Sequence, residues 1–352
     1  MFKVPMDVFT YTNEAAALAR GERLVYANGA AKELLGADCE GKSLGKLLGP
    51  DISAAQASNF VADFSRGGKL FSVRATKQEE GQFFFFSKQE THLELLNEAF
   101  LYSMRSNLMN MKLALELCRV KAEEQGSEEL LAQLREISRS QFRMSRLTSN
   151  VSMLKDYLEG EDVFSPVMVD IGRLCRECVD CVAELVEGVE FRVNAREGLL
   201  VMADAALVKR LLTNLISNSL VHAAGLSRIS VNVIDSEDFV MLSVSDDGCG
   251  IKPEQLHWVF DRYRHVYDMA EMNSGAGIGL SVVRIIAQRH GGTLLLESRA
   301  GSGTTTRVSL KKNTNMSMAL RSGEEEHFDM ATALVELSDC LDSKYYGEKF
   351  MD

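Results

Sequence analysis

The sequence predicts a multidomain α+β chain, with an N-terminal α/β domain over residues 1–90, a helical hairpin over 91–160 and a C-terminal domain of mixed strands and helices over 165–312. Three observations carry this prediction. Up to residue 90, short apolar runs are broken by glycines and end in two strand-like stretches, LFSVRAT and QFFFFS. From 92 to 159, apolar residues recur every three or four positions, the period of a helix face. From 165 onward, strand-like and helix-like patterns alternate and are interleaved with glycine clusters.

The chain has 352 residues, enough for two or three domains that each bury a core. With 46% hydrophobic and 25% charged residues it has the composition of a soluble globular protein. A net charge of -11, with no basic face, argues against a nucleic-acid partner. No apolar run reaches the ~18 residues of a membrane span. The opening MFKVPMDVFT has no apolar signal core, so the expected location is cytoplasmic. Seven cysteines at irregular spacing fit a reducing compartment.

In the N-terminal segment the apolar pairs Val25 and Tyr26, Leu34 and Leu35, and Leu47 and Leu48 precede the strand pair, whose turn is KQEEG. The stretch VYANGAAKELLG resembles the entry to a PAS sensory domain. That resemblance implies dimerisation or the binding of haem, flavin or a small ligand. No residue here stands out as a cofactor ligand: Cys39 lies in a glycine-flanked polar turn that suits packing, and His92 falls just beyond the domain.

The hairpin carries Leu93, Leu96, Phe100, Met104, Leu108, Met111 and Leu115 on its first helix. Leu130, Leu131, Leu134, Ile137, Phe142, Leu147, Val151 and Leu154 form the stripe of the second. Between them EEQGSEE supplies a turn at Gly126 and a helix cap at Ser127. The apolar stripe is too broad for one partner helix. Two copies would complete a four-helix bundle, so a homodimer is expected.

The C-terminal domain holds four short motifs in a fixed order: NLISN (Asn214 to Asn218), DDGCGI (Asp246 to Ile251), FDRY (Phe260 to Tyr263) and GAGIGL (Gly275 to Leu280). Asn214 and Asn218 are four apart on an apolar-periodic segment, so both amides project from one helix face. An amide oxygen beside phosphates suits Mg²⁺, which keeps several waters and takes few protein ligands. Asp246 ends the strand-like VMLSVSD, where its carboxylate can accept from the exocyclic amine of adenine. Gly248, Gly250, Gly275, Gly277 and Gly279 allow backbone to approach a ligand closely. Gly277 and Gly279 also open a helix, whose free N–H groups and dipole favour phosphate. Singly these signals are weak. In this order, followed by HGGTLLLES and GSGTTTRVSL, they make a nucleotide pocket.

Residues 165–312 resemble the ATP-binding domain of sensor histidine kinases, within the superfamily that includes the gyrase and Hsp90 ATPases. The resemblance implies an α/β sandwich with an ATP lid between FDRY and GAGIGL. It implies ATP and Mg²⁺ as cofactors, Mg²⁺ on Asn218, and a nucleotide held by Asn214, Asn218, Asp246, the glycine boxes, Leu280 and Thr304. It also implies that residues 91–160 are the dimerisation and phosphoacceptor hairpin, and that a response regulator or a partner kinase is the protein partner.

At two places the chain departs from this family, and a cysteine triplet also bears on its chemistry. The family motif His-Glu-Leu-Arg-Thr-Pro-Leu aligns with Tyr102, Ser103, Met104, Arg105, Ser106, Asn107 and Leu108. Tyr102 thus occupies the phosphoacceptor position, Arg105 is retained, and neither the acid nor the proline is present. An imidazole accepts a phosphoryl group at neutral pH, whereas a phenol with pKa ≈ 10 needs a base. The lysine the family places after the second asparagine is Val221 here, followed by His222. Arg262, Arg264 or His265 at the lid could restore that charge, and His222 could touch the nucleotide or be structural. Finally, Cys175, Cys178 and Cys181 are spaced by three on a helix, which spreads the thiols over ~120° and suits packing better than a metal site.

The tail, 313–352, is acidic and carries Met330, Leu334, Leu337 and Leu341 at helical spacing. This short amphipathic helix is expected to dock either on its own ATP-binding domain or on a partner. Two functional readings follow from the whole chain. One is a cytoplasmic, PAS-containing, dimeric histidine kinase-like protein. The other is an ATP-binding pseudokinase that acts as a conformational switch or scaffold. A third, an ATPase of the Hsp90 kind, lacks a carboxylate base beside Asn214.

Overall fold

The computed structural model describes residues 15–48, 60–66, 69–78, 81–88, 98–159, 164–252, 278–312 and 328–347. The expectations for His92, the FDRY stretch with Arg262, Arg264 and His265, and the glycines Gly275 and Gly277 lie outside the described residues.

Near the N-terminus, β1 (Ala15–Arg20), β2 (Arg23–Ala27), β3 (Phe60–Arg66), β4 (Lys69–Gln78) and β5 (Gly81–Lys88) form an antiparallel sheet in the order 2-1-5-4-3. Two short helices, α1 (Gly29–Leu35) and α2 (Leu44–Leu48), lie between β2 and β3 in the chain. Asn28 starts the first of them: its Oδ1 accepts from the Ala31 N–H at 2.9 Å and from the Ala16 N–H at 3.0 Å. One side chain thereby caps a helix and pins the neighbouring strand. Cys39 is fully buried with Leu24, Leu35, Leu44, Phe60 and Phe84, the packing role its turn suggested.

The hairpin is formed by α3 (Glu98–Glu124) and α4 (Glu128–Glu159). Its turn is made as the sequence suggests: Gly126 takes φ 62, and Ser127 Oγ accepts from the Leu130 N–H at 3.4 Å. Gln141 Nε2 donates to the Leu108 carbonyl at 3.3 Å and sets the register of the two helices. Met109, Leu113, Leu117 and Val120 of α3, and Leu130, Ile137 and Met144 of α4, remain exposed.

The C-terminal unit comprises β6 (Val167–Asp170), α5 (Ile171–Leu185), β7 (Glu190–Asn194), β8 (Leu200–Ala203), α6 (Ala205–His222), β9 (Arg228–Asp235), β10 (Phe239–Asp246), α7 (Ile278–Arg289), β11 (Leu294–Ser298) and β12 (Thr304–Lys311). Strands order as β11-β12-β10-β9-β7, with β7 parallel to β9 and the other pairs antiparallel; β6 and β8 pair separately. Alternate residues, such as Ile229 and Val231, Val240 and Leu242, and Val308 and Leu310, point into one core with α5, α6 and α7. Cys175 and Cys178 are inside that core, and burial pushes the Cys175 thiol up to about 12. Asp204 caps α6, accepting from the Leu207 N–H at 3.1 Å, while its own N–H donates to His290 Nε2 at 3.1 Å. His290 is buried and holds two elements together.

Two features go beyond the sequence reading. First, the N-terminal and C-terminal units share one ten-stranded sheet, because β3 pairs antiparallel with β11 through Phe60↔Glu297, Val61↔Leu296 and Ala62↔Leu295. Leu294 joins the C-terminal core and Leu295 the N-terminal one. The run of three leucines is therefore a strand buried on both faces. Second, the C-terminal segment docks on its own chain. It forms α8 (Met330–Glu336) and a 3₁₀ turn (Ser343–Tyr346). Leu334, Leu337, Leu341 and Tyr346 are buried in the C-terminal core together with Phe142 of α4. No helix among the described residues is long and apolar enough to cross a membrane.

Truncating Leu295 to Ala should cost about 2–5 kcal/mol, the usual range for a leucine removed from a packed core. Hydrogen exchange should localise the loss to β3. Unchanged β3 protection in the variant would contradict the pairing.

Candidate nucleotide-binding site

Asp246, the last residue of β10, is held at the sheet rim by three hydrogen bonds. Its Oδ1 accepts from the N–H groups of Gly248 at 3.1 Å and Thr304 at 3.2 Å, and Oδ2 accepts from Ser219 Oγ at 3.1 Å. The adjacent carboxylate does a different job. Asp247 accepts from the backbone N–H and hydroxyl of Ser227 and from the Arg228 N–H, which together hold it down to about 2. Of the paired aspartates, one locks a turn and the other faces the motif residues.

The glycines of DDGCGI are required by chain packing, whatever else approaches their backbone. A Cβ on Gly248 would lie 2.4 Å from Ala223 Cβ, and one on Gly250, at φ 64, would lie 2.1 Å from the Arg299 carbonyl oxygen. Gly303, at φ 81, meets the Asp246 backbone in the same way, with a Cβ 1.9 Å from its carbonyl oxygen. Ser298, at the end of β11, ties this knot: its Oγ accepts from the Ile251 N–H at 2.8 Å and donates to the Gly303 carbonyl at 3.0 Å.

Asn214 and Asn218 do share a helix face, and both amide oxygens lie against Gly279, 2.9 Å and 3.7 Å from where its Cβ would be. Their surroundings differ. Asn214 is fully buried; its Oδ1 accepts from Arg146 Nη2 at 2.9 Å and its Nδ2 donates to the Arg210 carbonyl at 2.7 Å. Asn218 is half-buried, and its Nδ2 is buried with no partner among the described residues. The unmet Nδ2 is a donor that suits an acceptor oxygen of a ligand, while the Asn218 Oδ1, near Gly279 in the first turn of α7, is the atom type that fits Mg²⁺.

Leu280 packs on the C-terminal core from the first turn of α7. Thr304 Oγ1 is 2.8 Å from Ser298 Oγ. His222, the last residue of α6, is exposed. Tyr102 and Arg105 stand apart from all of these on α3, and Tyr102 is 75% exposed. Three residues of the site escaped the motif reading: Ser219, Ser298 and Arg146. Ser219 directly follows Asn218 and was within reach of it; Arg146 lies 68 residues before its asparagine and carries no local signal.

Residues 203–314 match the family described as histidine kinase-, DNA gyrase B- and HSP90-like ATPases. The sensor protein IrlS of Burkholderia pseudomallei is 33% identical over 165 residues, which are 46% of this chain and 35% of that protein. Residues 203–314 therefore carry an ATPase domain of this family, and the chain is similar to sensor histidine kinases. Another relative, the sensor histidine kinase RppB of Synechocystis sp., is 26% identical over 291 residues, 79% of this chain and 60% of that one. The chain thus spans about a third to three-fifths of the length of these two kinases. Among solved structures, the mycobacterial sensor histidine kinase MprB covers 43% of this chain and 99% of its own, at 24% identity and a TM-score of 0.36.

Replacing Gly279 with Ala should abolish nucleotide binding or weaken it at least about tenfold, roughly 1.4 kcal/mol. The added methyl meets an Asn214 oxygen that is bonded in place. Titration with a fluorescent ATP analogue in Mg²⁺ checks this, and wild-type affinity in the variant would show that the amide yields freely.

Proposed function

We propose that this chain is a homodimeric, Mg·ATP-binding, histidine kinase-like protein of two-component signalling in the cytoplasm, whose usual phosphoacceptor position holds Tyr102. The observation that carries the nucleotide reading is the fixed carboxylate of Asp246, flanked by Ser219, Gly248 and Thr304. These donors orient it before any ligand arrives, so adenine recognition incurs little ordering cost. Asn218 would hold Mg²⁺, which when bound neutralises phosphate charge. The N–H groups opening α7 at Gly279 would face the phosphates, with Gly275, Gly277 and Arg262 contributing from the preceding stretch.

The N-terminal antiparallel sheet with its two short helices supports a PAS-like sensory domain over 1–90. The exposed apolar side chains of the hairpin support a dimeric bundle over 91–160. The ATP-binding domain is then 165–312, followed by the acidic segment 313–352. Replacing Ile137 with Glu places a charge on that exposed surface and should shift the sedimentation equilibrium to monomer. A dimer that survives this substitution would remove α4 from the interface.

A second reading, an ATP-binding pseudokinase that serves as a switch or scaffold for a response regulator or partner kinase, is favoured by one observation. The Tyr102 hydroxyl is exposed, and among the described residues it has no hydrogen-bond partner to take its proton. Incubation with γ-labelled ATP, alongside Tyr102→Phe and Asp246→Asn, separates the readings. Stable label lost in Tyr102→Phe assigns the tyrosine, and acid-labile label assigns a histidine. Nucleotide binding without label supports the pseudokinase. Asp246→Asn should lose nucleotide binding; full binding by that variant would refute the pocket.

A further inference from the structure

The two asparagines of α6 are one turn apart and face the same glycine, yet the protein uses them differently. Asn214 has both ends of its amide bonded within the chain, and Asn218 does not. The first amide is therefore part of the wall, and the second is left for the ligand. What holds the wall comes from elsewhere in the chain. Arg146, on α4 of the hairpin, is only 5% exposed. Besides Asn214, it donates through Nη1 to Ser217 Oγ at 3.3 Å and to Asp339 Oδ2 at 2.6 Å. Its Nε faces Glu336 Oε2 at 3.6 Å as an ion pair.

The two acidic residues belong to the C-terminal segment, and each engages a second arginine. Asp339 Oδ1 accepts from Arg143 Nε at 3.1 Å, and Glu336 Oε1 lies 3.8 Å from Arg210 Nε on α6. Apolar contacts seat the segment. The Tyr346 ring packs edge-on to Phe142 at 5.1 Å, and its hydroxyl donates to the Leu334 carbonyl at 2.9 Å. The segment thus touches the hairpin and the nucleotide helix where they meet around Arg146.

We propose that residues 328–347 are an intramolecular latch coupled to the nucleotide pocket through Arg146, Asn214 and Gly279. Seated, Glu336 and Asp339 fix the Arg146 guanidinium, Arg146 fixes the Asn214 amide, and that amide buttresses the Gly279 end of α7. Latch seating and Mg·ATP binding then stabilise each other, and thermodynamic linkage makes the effect reciprocal. Arg146 acts here as a positioning residue, since it reaches the pocket only through Asn214. The proposal rests on the nucleotide reading above and names a regulation of that same site.

The test uses the full chain and a fluorescent ATP analogue with Mg²⁺. The double variant Glu336→Gln, Asp339→Asn should bind the analogue roughly tenfold more weakly than the unmodified chain, within the usual range of coupling between sites. In the unmodified chain, a saturating Mg·ATP analogue should slow hydrogen exchange at the amides of Met330–Glu336. This second arm needs no variant, so a folding defect cannot imitate it. Unchanged exchange in α8, with equal affinity in the double variant, overturns the latch and leaves the nucleotide site standing. Failure of the unmodified chain to bind any nucleotide overturns the site, and the latch with it.

Discussion

A guanidinium buried at the junction of three chain segments organises the middle of this molecule. Arg146 cannot shed its charge, and an unpaired buried charge would cost several kcal/mol, so its donors require acceptors from whatever packs around it. They come from α6, through Asn214 and Ser217, and from the C-terminal segment, through Asp339 with Glu336 nearby. The hairpin, the nucleotide helix and the terminal segment are thereby brought to one point. Leu334, Leu337, Leu341 and Tyr346 supply the burial that holds the third member in place, at roughly 1.5–3 kcal/mol for each aliphatic side chain before ordering costs.

A second constraint acts through the backbone. β11 is apolar on both faces, so it is covered on both, and its free edge accepts β3. The strand that receives the N-terminal sheet ends at Ser298, whose hydroxyl holds the Ile251 N–H and the Gly303 carbonyl. Thr304, one residue on from Gly303, donates its N–H to Asp246. The N-terminal unit and the Asp246 carboxylate are therefore connected by one strand and a short series of hydrogen bonds, independently of the hairpin.

The acceptor side of the molecule is chemically spare by comparison. The proposed nucleotide site has a preorganised carboxylate and an amide nitrogen with no partner among the described residues, while Tyr102 projects exposed from α3. Transfer of a phosphoryl group depends mainly on positioning and charge neutralisation, and a protonated phenol adds the need to remove a proton. Binding and switching thus draw on more of the built structure than transfer to Tyr102 does.

Much of this was legible in the chain because it is local. Helix periodicity announced the hairpin, and Ser127 and Asp204 announced the caps, since a cap bonds an N–H only three residues away. The order of NLISN, DDGCGI and GAGIGL announced the ATPase family that residues 203–314 match. What the sequence could not determine was which of two equivalent residues does which job. Asn214 and Asn218 have the same chemistry and the same helix face, yet Arg146, 68 residues away from the first, bonds Asn214, while the Asn218 Nδ2 has no partner among the described residues. Nor did the sequence reveal that Ala223 and Arg299 fill the space a side chain at Gly248 or Gly250 would need. The pairing of β3 with β11 and the docking of the terminal segment were likewise decided by tertiary structure. An exposed strand edge or an apolar helix face states that it needs a partner, and only packing chooses which one.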